Sequence, residues 1–247
     1  MTDGPTQPVD DVRVASSEPA APWGWPQVLL ALVGAIVMSN VVTALWLVAL
    51  DVSASGPNSL GRMLCSFAGI WTVFLGISLI YCRRNGQTLA VGVGLSWRFP
   101  RDLVGGIFWG LCGQALVYLV YLPVQLISPE TAAKVSDKAK ETTDVGGGWK
   151  FFVLAIAVVL IAPVVEEIFF RGFAQRAFSA SFGPAWGVAS AAVLFGLFHF
   201  APLQTPALIA FGFLLGSLAR RNGRLGENIV AHIAFNGVTM IGLFLSL

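Results

Sequence analysis

The chain has 247 residues, of which 56% are hydrophobic and only 11% charged, with a formal net charge of +2 and a mean hydropathy of +0.76. Soluble domains carry about 25% charged residues, so water is excluded as the solvent for most of this surface. The small net charge, with its arginines spread over several loops, gives no support to a nucleic-acid partner.

Residues 1–23 are polar and rich in Pro, Ser and Asp, and lack the basic and short apolar regions of a cleavable signal peptide. They read as a disordered tail. Seven apolar stretches follow, each near the ~20 residues that cross a hydrocarbon core: Trp25 to Leu50, Leu60 to Cys82, Asp102 to Ser128, Lys150 to Phe178, Pro184 to Ala201, Thr205 to Arg220 and Glu227 to Leu247. Backbone groups inside a bilayer must be satisfied within the segment, and no strand-like alternation is present, so the expected fold is all-α, a polytopic transmembrane helical bundle. The chain divides into the tail, three spans with an outer loop over 24–149, and a C-terminal helical unit over 150–247.

Orientation follows from arginine. Arg83, Arg84, Arg98 and Arg101 share one loop, Arg176 lies in a second, and Arg220, Arg221 and Arg224 lie in a third. Seven spans put these on one face, which the positive-inside rule makes cytoplasmic, with the N-terminus inside. Pro129 to Trp149 is then an outer loop whose lysines are offset by Glu130, Asp137, Glu141 and Asp144. A bacterial plasma membrane suits the short spacers. Trp23, Trp25, Trp97, Trp149 and Trp186 fall near span ends and read as interfacial anchors. Cys65, Cys82 and Cys112 are odd in number with no CxxC spacing, so they read as small lipid- or core-facing residues. Gly106 with Gly110, and Gly212 with Gly216, have the GxxxG spacing that permits close helix approach, a weak signal among 27 glycines.

The informative residues are the ionisable ones inside spans, which are costly there and face a cavity or a partner. Glu166, Glu167 and Arg171 form the first cluster; Phe195 and His199 the second; His232 and Asn236 the third. Glu167 and Arg171 stand at i and i+4 and can pair, while Glu166 is turned about 100° away and lacks a local cation. The chain has only two histidines, and both lie in these clusters.

If Ser179 to Gly183 is a turn between antiparallel helices, Glu166 and His199 lie at depths of ~18 Å and ~22 Å at about 1.5 Å per residue. From Arg224, His232 and Asn236 lie ~12 Å and ~18 Å in. The four side chains are therefore expected to meet near mid-membrane. Singly, Glu167 with Arg171 reads as a neutralising pair and the two histidine clusters as helix glue, while the unpaired Glu166 already points to function; convergence over three helices reverses the bland reading of the histidine clusters. Phe195 reads as a packing residue at the border of the site.

These residues resemble the CPBP family, intramembrane proteases related to the CAAX-processing endopeptidase and to bacteriocin-processing and immunity proteins. Its pattern EExxxR is matched by Glu166, Glu167 and Arg171, FxxxH by Phe195 and His199, and HxxxN by His232 and Asn236, over roughly Lys150 to Leu247. The resemblance implies an endopeptidase, commonly classed as a metalloendopeptidase, acting on a peptide or lipidated protein among membrane lipids. It implies Glu166 as the base, His199 holding the same water, His232 and Asn236 as oxyanion donors, and Glu167 with Arg171 as a supporting pair. Peptide hydrolysis needs such a base and such donors.

The metal is open. His199, His232 and Glu166 would make a two-His, one-carboxylate zinc set, but that would force Glu167 to act as base while paired to Arg171, so metal-independent water activation is favoured. The competing functions are an ion-coupled transporter, which would use the same intramembrane Glu and His as a relay, and a non-catalytic immunity or scaffold protein.

Overall fold

The computed structural model describes residues 23–51, 59–143 and 148–245. The tail assigned to 1–23 therefore lies, except for Trp23, outside the described residues, as does Asp144 of the outer loop. The described residues contain helices and no strand. In chain order these are α1 (Trp25–Ala49), α2 (Leu60–Arg84), α3 (Leu89–Val93), α4 (Arg101–Ile127), α5 (Pro129–Thr143), α6 (Trp149–Phe182), α7 (Pro184–Phe198), α8 (Thr205–Asn222) and α9 (Gly226–Leu245).

Among the described residues, α1, α2, α4, α6 and α9 are long and apolar enough to cross a membrane, and α7 is a shorter apolar helix of 15 residues. The protein is thus an integral membrane helical bundle, and seven is an approximate count of its spans. The loops hold more structure than apolarity alone indicates. Thr88 caps α3 by accepting from the Val91 amide, and α5 occupies most of the expected outer loop. The expected turn at Ser179 to Gly183 shrinks to Gly183 itself. α6 continues to Phe182, and Gly183, with φ +88, reverses the chain before Pro184 starts α7.

Helix α6 is the axis of the bundle. It spans about 51 Å at 1.5 Å per residue, and all eight residues from Glu167 to Ala174 are buried. A helix buried on every face must find partners on every face. α2, α7, α8 and α9 pack around it, and Phe74 of α2 stacks on Phe169 with ring centroids 3.8 Å apart.

Helix α6 is also not uniformly α-helical. It widens to π geometry over Ala157–Ile161 and again over Glu167–Ala174. The first widening immediately precedes Pro163, whose ring would collide with the preceding turn of a regular helix and which offers no N–H.

Small residues set the helix spacings. A Cβ at Gly110 would meet the Ala231 carbonyl of α9 at 2.6 Å, and one at Gly212 would meet the Ala192 backbone of α7 at 3.0 Å. Both GxxxG pairs therefore lie at helix contacts, where backbones approach closely.

At one end of the bundle the arginine-rich segments meet. Arg224 pairs with Asp102, the Leu225 amide donates to the Gly94 carbonyl, and Arg176 Nη1 donates to the Gly92 carbonyl. Trp23 departs from the anchoring role expected of it. It is 4% exposed, its indole N–H donates to the Phe173 carbonyl at 3.0 Å, and its ring stacks on Phe173. Trp25, Trp97, Trp149 and Trp186 are exposed.

Candidate active site

The two glutamates are neighbours in sequence but not in surroundings. Glu167 is fully buried, and its Oε1 accepts from Arg171 Nη1 at 2.8 Å and from His232 Nδ1 at 2.9 Å, while Asn228 Nδ2 reaches Oε2 at 3.4 Å. A buried carboxylate is tolerable when its lone pairs are met by donors and an opposite charge. Arg171 is held in turn: Nη2 donates to the Gly212 carbonyl of α8 at 3.3 Å, and the guanidinium lies 4.5 Å from the centre of the Phe195 ring. The pair therefore ties α6 to α7, α8 and α9.

Glu166 keeps 20% of its side chain exposed. Among the described residues its one ionic or hydrogen-bonding neighbour is His232, whose Nε2 stands 3.8 Å from Oε2. Arg171 on the same helix is hydrogen-bonded to Glu167 and acts on Glu166 only at longer range, so the expected lack of a local cation is incomplete, and a histidine from α9 faces Glu166. His232 thus lies between two carboxylates. With Nδ1–H donated to Glu167, the ring is fixed in orientation and presents Nε2 toward Glu166.

His199 stands at the C-terminal end of α7, where its Nδ1 donates to the Phe195 carbonyl at 2.7 Å. A carbonyl only accepts, so Nδ1 carries the proton and Nε2 is left as the free nitrogen in the neutral ring. No polar contact joins His199 to Glu166 among the described residues. The link between the two histidines is the buried Phe195 ring, whose centroid is 4.7 Å from that of His199 and 5.7 Å from that of His232. Asn236, one turn beyond His232, donates through Nδ2 to the Val158 carbonyl of α6 at 2.8 Å. It therefore uses one amide hydrogen within the protein and keeps a second.

Two polar residues escaped the sequence reading. Asn228 lies one turn before His232 on the same face, is fully buried, and donates to the Leu215 carbonyl at 2.6 Å as well as to Glu167. Gln175, one turn after Arg171, donates to the Gly216 carbonyl at 3.0 Å. Extending the i, i+4 pattern by one turn in each motif would have found both.

The zinc reading fits poorly. Each histidine has Nδ1 committed to an oxygen, as metal-bound imidazoles do, but among the described residues no three His, Cys, Asp or Glu side chains converge to hold an ion.

Residues 148–238 match the family model described as type II CAAX prenyl endopeptidase Rce1-like. No curated protein and no solved structure matches the chain. The matched segment runs from the start of α6 into α9 and carries Glu166, Glu167, Arg171, His199, His232 and Asn236. This segment, rather less than half of the chain, is thus similar to the CPBP family of intramembrane proteases.

Proposed function

We propose that this protein is an intramembrane endopeptidase that hydrolyses a peptide bond near the C-terminus of a lipidated or otherwise hydrophobic substrate, with Glu166 as general base. The observation that carries the reading is the contrast between adjacent carboxylates. Glu167 is fully buried and met by three donors, whereas Glu166 is partly exposed and, among the described residues, has only the His232 ring within ion-pair distance, at 3.8 Å. That separation exceeds a hydrogen bond and suits a bridging water.

In this mechanism Glu166 takes a proton from water while His199 Nε2 helps hold it, and the resulting hydroxide attacks the peptide carbonyl carbon. The tetrahedral oxyanion receives hydrogen bonds from the second Asn236 amide hydrogen and from His232 Nε2 when that ring is doubly protonated. The intermediate collapses with cleavage of the C–N bond, and Glu166 returns its proton to the leaving amine. Glu167 and Arg171 hold His232 and the helices in register. The arginine-rich end of the bundle faces the cytoplasm of a bacterial cell, with the N-terminus on that side.

The test is cleavage of fluorogenic lipidated and unlipidated peptides by the purified protein, with Glu166→Ala and a chelator in parallel. Glu166→Ala is expected to lower turnover by about 10²- to 10⁴-fold, the range of a general base, with folding retained. Activity that survives chelation supports metal-independent water activation, and activity lost to chelation restores a metal. Full turnover by the variant overturns the assignment of Glu166. No cleavage by a folded wild type favours a transporter or a non-catalytic partner.

A further inference from the structure

Pro163 sits three residues before Glu166 in the interior of α6. An interior proline normally leaves one carbonyl of the preceding turn without a donor. Which carbonyl that is depends on the local register. Just before the proline α6 is in π geometry, over Ala157–Ile161, and the Ala162 amide donates to the Ala157 carbonyl, five residues back, with α geometry resuming over Ala162–Glu166. The next carbonyl in that register is Val158, and its donor would be the amide of residue 163, which a proline lacks.

The atom that fills this gap belongs to another helix. Asn236 Nδ2 of α9 donates to the Val158 carbonyl at 2.8 Å. An unpaired carbonyl inside a bilayer is costly, so the acceptor that Pro163 creates holds the Asn236 amide in one orientation. His232 is one turn away on α9 and is fixed from the other side by Glu167.

We infer that Pro163 is a positioning residue: by opening the α6 ladder at Val158 it creates the backbone acceptor that orients Asn236 beside His232. The inference rests on the proposed reading only in what the oriented amide is for. The docking itself is independent of it. The gap also accounts for a helix breaker standing in the most buried of the long apolar helices described, where its ordinary effect would be a pure loss of helix stability relative to alanine.

Two variants restore the missing N–H. Pro163→Ala does so with a better helix former, and Pro163→Gly with a poor one. Either amide can donate to Val158 in the π register or let the turn tighten to α geometry, and both release Asn236. The expectation is a fall in kcat of on the order of 10²-fold for each variant, the scale of a misplaced catalytic group, with KM unchanged. Thermal midpoints should diverge, rising for Pro163→Ala and rising less or falling for Pro163→Gly. In an Asn236→Ala background neither Pro163 variant should lower kcat further.

The thermal double-mutant cycle between positions 163 and 236 reads the docking without substrate. Non-additive midpoints support the inference even if no peptide is ever cleaved, and additive midpoints overturn it. With non-additive midpoints, additive losses in kcat would overturn the catalytic purpose of the contact. Loss of activity in Pro163→Gly alone would assign the proline to helix stability and overturn the proposal.

Discussion

Two buried polar clusters among the described residues differ in what is left over. At the arginine-rich end, Asp102 accepts from the Arg98 amide and from Arg224, and Glu227 accepts from Asn222 at 2.7 Å with Arg221 at 3.9 Å. The Asp102–Arg224 pair joins the start of α4 to the link between α8 and α9, Glu227 ties the start of α9 to the end of α8, and each acid has its base. At the centre, Glu167, Arg171 and His232 form a similarly charge-paired set to which Asn228 donates, although Arg171 Nε and Asn228 Oδ1 have no hydrogen-bond partner among the described residues, and Glu166 stands beside it incompletely paired. Charge-paired sets hold helices together. A carboxylate left open beside such a set can take water as its partner, and on the proposed reading this separates chemistry from architecture here.

The comparison breaks most easily at Glu166. Glu166→Gln should abolish most turnover, by about 10²- to 10⁴-fold, while leaving the thermal midpoint in detergent close to wild type. Glu167→Ala should do the opposite first, since it strands the Arg171 guanidinium. Removing one partner of a buried pair costs about 3–5 kcal/mol, read as loss of folded protein in a denaturation series.

Double replacements sharpen the contrast further. Asp102→Leu with Arg224→Met should return stability to within about 1–4 kcal/mol of wild type, on either side, as apolar replacement of buried pairs does. Turnover per folded molecule should then be retained. Glu167→Leu with Arg171→Met should recover folding on the same grounds but not turnover, because His232 would lose the acceptor of its Nδ1–H. Equal recovery of activity at both clusters would erase the distinction between them. The smallest effect is expected at Asn228. Asn228→Ala removes a donor from the buried Glu167 carboxylate and should cost about 1–3 kcal/mol of stability, with turnover reduced less than in any Glu166 variant.

Much of this was legible in the sequence. The ends of α2, α4, α6, α8 and α9 fall within a few residues of the apolar stretches that mark them, because hydropathy records the solvent directly. The EExxxR, FxxxH and HxxxN residues land on α6, α7 and α9 as i, i+4 geometry requires, since that spacing is a property of any helix. Hydropathy says nothing of α5 and α3, whose short or polar helices owe nothing to the bilayer. The Asp102–Arg224 pair spans 122 residues, and no local spacing announces it.

Trp23 shows the limit of position as a guide. A tryptophan at a span end ordinarily anchors at the interface, but here a carbonyl and a ring of α6 take it inside. The widening of α6 had a signal in Pro163, but only the register of the surrounding ladder tells that Val158 is the carbonyl set free and Asn236 the side chain that meets it.

The central claim is that adjacent carboxylates divide the work, Glu166 reacting and Glu167 building. The most direct test measures thermal midpoint and peptide turnover together for Glu166→Gln and Glu167→Gln in the same detergent preparation. The account predicts a stable, inactive Glu166→Gln and a Glu167→Gln whose midpoint falls. A Glu166→Gln that turns over at the wild-type rate, or that unfolds as readily as Glu167→Gln, would contradict it.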